Sequence, residues 1–488
     1  MNEAKPFSHA RLRSVQDHID ELPMWADGTR LRAPPMTGMQ WLIWSLAASG
    51  KFFTGFVLFM TGVALPLFSS EFEVGPAAHG VISSAILFGI LVGAVFLGGL
   101  ADRFGRKPMF VIEMVIFDTF LAALTFCNSF RMVVICLFGL GLSLGSSYPT
   151  ASMIIAENIP TASRGRLVLG AFAFQAIGAL AGTAVGYLVL SAVPAIDAWR
   201  WMYAVAIVPA VFATIGRLYI VESANWLSAR GDLGKAEKAA KRLLVRKPQY
   251  PSEIRLAPHD YAPTSKHTFT ALFDRTNRRA TILTSVPWFL QDLSTYGIGI
   301  FTPTILAAIA GANSDHARST ADLILNDISA AKGTALIDTL LIVGVIAAVL
   351  LSDRIGRITL QVVGFLGCAA GLMLASLSLN YSGRTETVLL FCGFMLFNFM
   401  NSAGPSSQTY LLAGEVFPTA MRGKGAGFAA AVGKVGAVTT AFLFPILLEA
   451  IGMRSLLYCL VAASILGAVV TRLFRIETAG VSLDKLDH

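Results

Sequence analysis

Long apolar runs alternate with short polar segments along almost the whole chain. A bilayer core about 30 Å thick requires roughly 20 apolar residues in a helix that rises about 1.5 Å per residue. Twelve runs reach that length, and a long polar stretch separates the sixth from the seventh. We predict transmembrane helices near residues 42–67, 80–101, 108–127, 131–155, 166–192, 201–220, 280–310, 333–352, 358–379, 387–412, 425–448 and 453–473.

The composition strengthens this prediction. Of the 488 residues, 55% are hydrophobic and only 14% are charged, whereas a soluble chain of this length would expose far more charge. The sequence therefore predicts an all-α membrane protein with twelve transmembrane helices.

The distribution of basic residues predicts the orientation. If both termini are cytoplasmic, the tails and the loops on their side hold 29 of the 38 Lys and Arg residues, as the positive-inside rule requires. The net charge of +8 then reflects topology, and we expect no nucleic-acid partner. About 40 polar residues precede the first apolar run, so we expect an uncleaved first helix as the insertion signal.

The sequence lacks the residue patterns that are typical of enzymes, metal sites and cofactor sites. The five cysteines lie in or at the ends of predicted spans without metal-ligand spacing, and we interpret them as small apolar packing residues. The sequence has neither a Walker loop nor a His-Glu-x-x-His pattern. We predict no enzyme activity, no metal and no cofactor.

Three motifs occur twice, in the same order and about 250 residues apart. The segment "ENIPTASRG" at 157–165 shares six of nine residues with "EVFPTAMRG" at 415–423. Two further pairs are "GGLADRFGRKP" at 98–108 with "LLSDRIGRIT" at 350–359, and "RLYIVES" at 217–223 with "RLFRIET" at 472–478. A six-helix unit used twice predicts two halves that face each other and alternate access to a central site.

The duplication divides the chain into five parts. They are an N-terminal tail 1–41, a first half 42–221, a cytoplasmic loop 222–279, a second half 280–473 and a C-terminal tail 474–488. In the loop, the stretch 229–245 has apolar residues at a rough helical period, so we predict one or two short amphipathic helices there. We also predict a surface helix over 11–21.

The doubled motifs, together with "WRWMY" at 199–203, resemble those of the major facilitator superfamily. Within it the chain is similar to the sugar-porter branch and to the phosphate:proton symporter branch. The resemblance covers about residues 42–480. It implies the major facilitator fold and secondary transport of a solute.

The repeated acidic and basic residues are predicted to form a gate. They lie at the cytoplasmic ends of helices, where carboxylates and guanidinium groups can pair when the inner mouth closes. Anchoring of helix ends in the headgroup region is the alternative. The predicted gate residues are Asp102, Arg103, Arg106, Glu157, Arg164, Glu222, Asp353, Arg354, Arg357, Glu415, Arg422 and Glu477.

One face of the seventh span is unusually polar. Trp288, Gln291, Asp292, Thr295 and Tyr296 stand at i, i+3, i+4, i+7 and i+8, which places them on one side of a helix. A charged group at mid-bilayer costs about 2.5 to 3.5 kcal/mol on insertion scales, so the stripe requires a reason. We predict contact with the substrate or a proton, with bonding between helices as the alternative.

The phosphate-symporter branch carries a similar W-x-x-x-D-x-x-x-Y pattern on its seventh span. That resemblance also implies substrate-binding roles for Tyr148 and Gln175. The chain departs from the branch where related symporters carry carboxylates, since Thr54, Val57 and Ser147 occupy those positions. These departures argue against inorganic phosphate.

Two buried lysines and two asparagines complete the predicted site. Lys51 could pair with Asp292 or bind a substrate carboxylate, and Lys434 could serve structure or substrate equally. Asn398 and Asn401 precede the Gly404-Pro405 dipeptide, where we predict a hinge and hydrogen-bond donors.

Proton coupling requires a carboxyl group that is neutral in one state and charged in another. Asp292 is the first candidate, followed by Asp118 and Asp338.

The predicted function is secondary transport of a small polar solute by alternating access. We favour an organic anion such as a carboxylate, with possible proton symport. The alternatives are a sugar or polyol porter and, from another class, a nutrient sensor on the same fold that does not transport. We expect a monomer in the bacterial inner membrane.

Overall fold

The computed structural model describes residues 13–22, 34–97, 100–245, 254–256, 269–312, 320–417 and 421–478, and almost all of them are helical. The helices are α1 Val15–Asp20, α2 Gly38–Phe72, α3 Pro76–Val92, α4 Leu100–Phe104, α5 Arg106–Thr125, α6 Phe130–Asn158, α7 Thr161–Ala192, α8 Ala198–Tyr219, α9 Ala224–Ala229, α10 Leu233–Leu243, α11 Arg278–Ala312, α12 Thr320–Ile355, α13 Arg357–Ser378, α14 Arg384–Ala403, α15 Pro405–Glu415 and α16 Arg422–Leu473.

These helices provide twelve passes. Among the described residues, ten segments are long and apolar enough to cross a membrane, and one of them, Lys424–Leu473, has 50 residues. It kinks at Gly452, whose φ of 78° and ψ of 163° interrupt the helix, so it makes two passes. α11 has 35 residues, long enough to add the twelfth pass.

Two features of the second half bear on the predictions. α12 begins at Thr320, well before the predicted start at residue 333. The predicted span began too late because Asp322, Asp327 and Lys332 interrupt the apolar run, while the helix itself includes all three. At the predicted hinge, α14 ends at Ala403 and α15 begins at Pro405, so the helix breaks at Gly404.

The two six-helix halves meet along a central interface. We call the surface that carries α1, α4, α9 and α10 the basic face, and the surface with the turns 73–75, 126–129, 193–197 and 379–383 the opposite face. Near the opposite face the halves pack closely at two glycines. A Cβ atom at Gly80 would collide with the carbonyl oxygen of Phe442, and one at Gly62 with that of Ile300. The interface is therefore closed on this side.

The N-terminal segment is tied to the first half at the basic face. The Asp20 carboxylate accepts hydrogen bonds from the Thr161 amide at 2.7 Å and hydroxyl at 2.6 Å, and thus caps the start of α7. Arg13 forms a parallel bridge with Leu256 of the loop between the two halves, and His18 Nε2 lies 3.3 Å from the carbonyl oxygen of Arg255. We call residues 13–22 the N-terminal strap.

Candidate functional site

A small cavity lies between the halves near the middle of the transmembrane helices. It has a volume of about 80 Å³, well below the roughly 300 to 1,000 Å³ of typical ligand pockets, so the site is contracted in this conformation. Its wall is rich in amide and hydroxyl groups. The uncharged polar side chains around it include Gln175, Gln291, Thr295, Asn401, Ser402 and Ser407.

An ion pair within the second half adds charge beside the cavity, and its Asp292 lines the wall. Lys434 Nζ on α16 lies 2.7 Å from Asp292 Oδ2 and 3.1 Å from the hydroxyl oxygen of Tyr296, both on α11. Gln175 of the first half donates to the same Tyr296 oxygen at 3.5 Å, which links the halves. Asp292 thus binds Lys434 and not Lys51, which corrects the pairing considered from the sequence.

Aromatic rings border the cavity on the side toward the basic face. Phe172 of α7 stacks on Tyr410 of α15 with ring centroids 4.8 Å apart, so this contact crosses the interface between the halves. Lys51 is buried, and its Nζ lies 4.7 Å from the centroid of the Phe172 ring. Trp288 packs edge-on against Tyr410, with ring centroids 4.6 Å apart, and is not among the residues that line the described cavity.

Asp338 forms a second contact between the halves. Its carboxylate accepts a hydrogen bond from the Thr183 hydroxyl of α7 at 2.8 Å and another from the Asn398 amide of α14 at 3.3 Å. Thr183 lies one turn from Ala179, which lines the cavity, on the side toward the opposite face. Asp338 and the Phe172–Tyr410 pair therefore border the cavity at its two ends.

The remaining predicted site residues lie elsewhere or are not described. Asp118 accepts a hydrogen bond from Thr214 at 2.6 Å, between α5 and α8, and does not line the cavity. Asn401 lines the cavity, whereas Asn398 lies one turn away, bound to Asp338. The side chain of Tyr148 falls outside the described residues.

The sequence interpretation missed a buried ion pair in the first half. Arg217 of α8 and Glu113 of α5 are both almost completely buried, 3.7 Å apart. Thr150 donates to Glu113 at 2.6 Å, and Arg217 donates to the carbonyl oxygen of Phe110 at 2.6 Å. The sequence did contain a signal for this pair, since both charged residues fall within predicted transmembrane spans. Each lies close to the end of its span, however, where a charge does not indicate burial.

The predicted gate residues form the same arrangement in both halves. Arg106 binds Glu157 at 2.9 Å and Asp102 at 2.8 Å, while Arg357 binds Glu415 at 2.6 Å. Each of these ion pairs joins residues of one half.

Glu222 and Glu477 close the arrangement by capping a helix. Glu222 accepts the backbone N–H of Arg106 at 3.0 Å at the start of α5, and Glu477 accepts that of Arg357 at 3.0 Å at the start of α13. Arg103 and Arg354 are exposed, and Arg164 is half-buried. The side chains of Asp353 and Arg422 lie outside the described residues.

A glycine precedes each capped helix. Gly105 and Gly356 have φ values of 110° and 92°, which favour glycine over other residues. A Cβ atom there would lie 2.6 Å from Glu222 and 2.9 Å from Glu477.

Two halves that surround a polar cavity suggest a transporter, and a comparison with protein families decides the matter. Residues 44–488 match the family model described as sugar (and other) transporter. The chain belongs to this family. As a sugar-transporter-family protein of the major facilitator superfamily, it is a multi-pass membrane transporter of small molecules and not an enzyme.

Several known proteins resemble this member of the sugar transporter family. It is 28% identical over 442 residues to the putative metabolite transport protein YfiG of Bacillus subtilis, with 88% of each chain covered. It is 30% identical over 454 residues to the major myo-inositol transporter IolT of the same species, covering 88% of this chain and 90% of the relative. The fold matches the xylose transporter XylE of E. coli in a partially occluded inward open conformation, with a TM-score of 0.71 at 19% identity, covering 91% of this chain and 100% of XylE.

Proposed function

We propose that this protein transports a small organic anion by alternating access through the central cavity. The observation that carries the proposal is the placement of two lysines in opposite halves. Lys51 of α2 and Lys434 of α16 lie close enough to repel each other, although Asp292 binds Lys434 and the buried Glu113 carboxylate attracts Lys51. Each lysine contacts a residue that lines the cavity: Lys51 faces the Phe172 ring, and Lys434 binds Asp292. A carboxylate between the two ammonium groups would reduce this repulsion.

The uncharged wall suits the rest of such a solute. Gln175, Gln291 and Asn401 offer amide donors and acceptors, and the serines of α14 and α15 offer hydroxyls. These groups would also bind the hydroxyls of a sugar or polyol. The relationship to a myo-inositol transporter favours that second candidate, which the experiment below separates from the first.

Asp338 is our candidate for proton coupling. Its carboxylate is held by the neutral donors Thr183 and Asn398, so it can exchange a proton without breaking an ion pair. Asp292, by contrast, is engaged by Lys434, and Asp118 lies away from the cavity. Since Thr183 belongs to the other half, protonation of Asp338 would weaken a contact that closes the interface near the opposite face.

We place the basic face in the cytoplasm of a bacterial cell, with both termini on that side. The positive-inside rule supports this orientation, and bacterial relatives support the inner membrane. One chain supplies both walls of the cavity, so we propose that the protein works as a monomer. The ion pairs of the basic face would hold each half rigid while the halves move against each other.

Thermal unfolding of the purified protein tests the substrate class. We would add carboxylates, phosphate, sugars, polyols and amines in turn, because a ligand that binds the folded state raises the unfolding temperature. Wild type is compared with Lys51→Ala and with Lys332→Ala, which removes an exposed lysine of α12. We expect carboxylates to stabilise wild type and Lys332→Ala, and to lose their effect on Lys51→Ala. Stabilisation by sugars or polyols alone, whether or not Lys51 is present, would replace the anion proposal with the second candidate.

Uptake into vesicles tests the coupling. With Asp338→Asn, we expect uptake driven by a pH gradient to fall to background while exchange of labelled for unlabelled solute continues. If gradient-driven uptake by Asp338→Asn equals that of wild type, Asp338 does not couple transport to protons.

A further inference from the structure

Two cysteine side chains meet at the opposite face of the first half. Cys127 follows the end of α5 and Cys136 lies in the first turns of α6, with their sulfur atoms 3.6 Å apart. Both residues are buried. The sequence placed them nine residues apart and gave no reason to expect contact, but the tight turn 126–129 folds α5 back onto α6.

Polar contacts hold this turn in position. Arg200 of α8 donates to the carbonyl oxygen of Cys127 at 2.8 Å and binds Glu71 of α2 at 2.6 Å. Glu71 also accepts a hydrogen bond from the Trp199 indole at 2.6 Å. The backbone of Cys127 is therefore held in place relative to two other helices, α2 and α8.

We propose that Cys127 and Cys136 form a disulfide that ties the end of α5 to α6. The bond requires the sulfur atoms to approach to about 2.05 Å, a gap that rotation of the two short side chains can close. The two thiols lose two protons and two electrons, and one disulfide of an extracytoplasmic oxidant, either a protein or a small molecule, is reduced to two thiols. The proposal rests on the orientation given above, which exposes the turn to an oxidising compartment.

The timing of the reaction follows from burial. Burial raises the pKa of the Cys127 thiol to about 12, so little thiolate exists once the helices have packed. We therefore place the oxidation during assembly, before α8 covers the turn. After packing, the same burial protects the bond from reductants.

The other three cysteines provide internal controls. Cys368 is buried in the second half and contacts the carbonyl oxygen of Phe397, so it matches the pair in burial but has a different neighbour. Cys392 and Cys459 are exposed on the helix surface. If burial alone protected the thiols from alkylation, Cys368 would react as little as Cys127 and Cys136. A disulfide would protect Cys127 and Cys136 and leave Cys368 reactive.

The test is thiol alkylation of denatured protein followed by mass spectrometry. Protein is purified without reductant, with free thiols blocked at cell lysis, and denatured before a second alkylation. We expect Cys368, Cys392 and Cys459 to be alkylated in full, and Cys127 and Cys136 only after reduction, as one cross-linked pair of peptides. Alkylation of all five cysteines without reduction would overturn the proposal.

Two further measurements test the effect of the disulfide on stability and the membrane orientation on which the proposal rests. With reductant present during heating, the unfolding temperature of wild type should fall, because local opening then exposes the bond, while that of Cys127→Ser/Cys136→Ser should not change. An equal effect of the reductant on both proteins contradicts the proposal. A membrane-impermeant maleimide should label Ser382→Cys in the turn 379–383 from outside intact cells, and labelling only after permeabilisation would overturn the orientation and this proposal together.

Discussion

The two halves of the molecule agree at the basic face and differ at the centre. At the basic face, an arginine binds a glutamate of the neighbouring helix, and a second glutamate caps the arginine's own helix, in both halves. At the centre, the charged groups occupy different helices. The duplication thus retains a scaffold twice, while the buried charged pairs near the centre differ between the copies.

The two buried ion pairs, one in each half, show how the centres of the halves differ. Glu113 and Arg217 of the first half lie away from the cavity wall and join α5 to α8. Asp292 and Lys434 of the second half join α11 to α16, and Asp292 lines the cavity. We interpret the first pair as structural and the second as part of the transport site, and the predictions below test this division.

The largest effect is expected from breaking the first pair. Arg217→Met leaves the Glu113 carboxylate buried without its cation, which costs about 3 to 5 kcal/mol of folding free energy. Glu113→Gln/Arg217→Met removes both charges and should recover most of the unfolding temperature measured in detergent. Uptake by the double variant, per folded molecule, should remain close to wild type. Loss of uptake in a well-folded double variant would place this pair in the transport mechanism.

The matching change in the second half should separate stability from transport. Asp292→Asn/Lys434→Met also removes both charges, so we expect a well-folded protein. Its uptake should nevertheless fall to background, since the groups that border the solute are gone. Should vesicles with this variant accumulate solute at the wild-type rate, the division between the halves is wrong.

A smaller effect is expected where the halves touch through Phe172 and Tyr410. An aromatic pair contributes about 0.5 to 1.5 kcal/mol beyond the burial of its surface. A double-mutant cycle with Phe172→Ala and Tyr410→Ala, followed by thermal unfolding, should give a coupling energy in that range. Phe88→Ala with Tyr410→Ala serves as the control cycle, because Phe88 packs against Phe138 within the first half. Additive effects in the first cycle would contradict a direct contact between the halves.

The smallest effect is expected at the duplicated cap. Glu222→Gln and Glu477→Gln each weaken a charged cap at a helix N-terminus, which costs about 1 kcal/mol. Because the geometry is the same, both variants should lower the unfolding temperature by a similar amount, whereas the exposed Glu449→Gln should leave it unchanged. A clear inequality between the two caps would show that the scaffold is not equivalent in the two halves.

Sequence patterns predicted the fold well because hydropathy and internal repetition report it directly. The repeated motifs identified Arg106, Glu157 and their counterparts as residues of equivalent loops. Helical spacing placed Asp292 and Tyr296 on one face, but it does not tell which helix lies opposite that face. For this reason the sequence suggested Lys51 as a partner of Asp292, whereas the partner is Lys434.

Contacts between helices that are distant in the chain could not be predicted from the sequence. Nothing near Asp338 in the chain indicates that Thr183 will meet it, because 155 residues separate the two. Phe172 and Tyr410 were missed for a similar reason, since aromatic residues are common in apolar spans. Only the packing of the halves selects these particular side chains.

The contacts of the N-terminal strap determine the order in which parts of the protein can pack during synthesis. Residues 13–22 leave the ribosome first, yet Arg13 and His18 bind residues 255 and 256, and Asp20 caps a helix that begins at Thr161. The first half therefore cannot complete its packing when its six helices have been inserted. Its surface on the basic face must wait until residues 255 and 256 have been translated, and until then the N-terminal strap is available to chaperones and proteases.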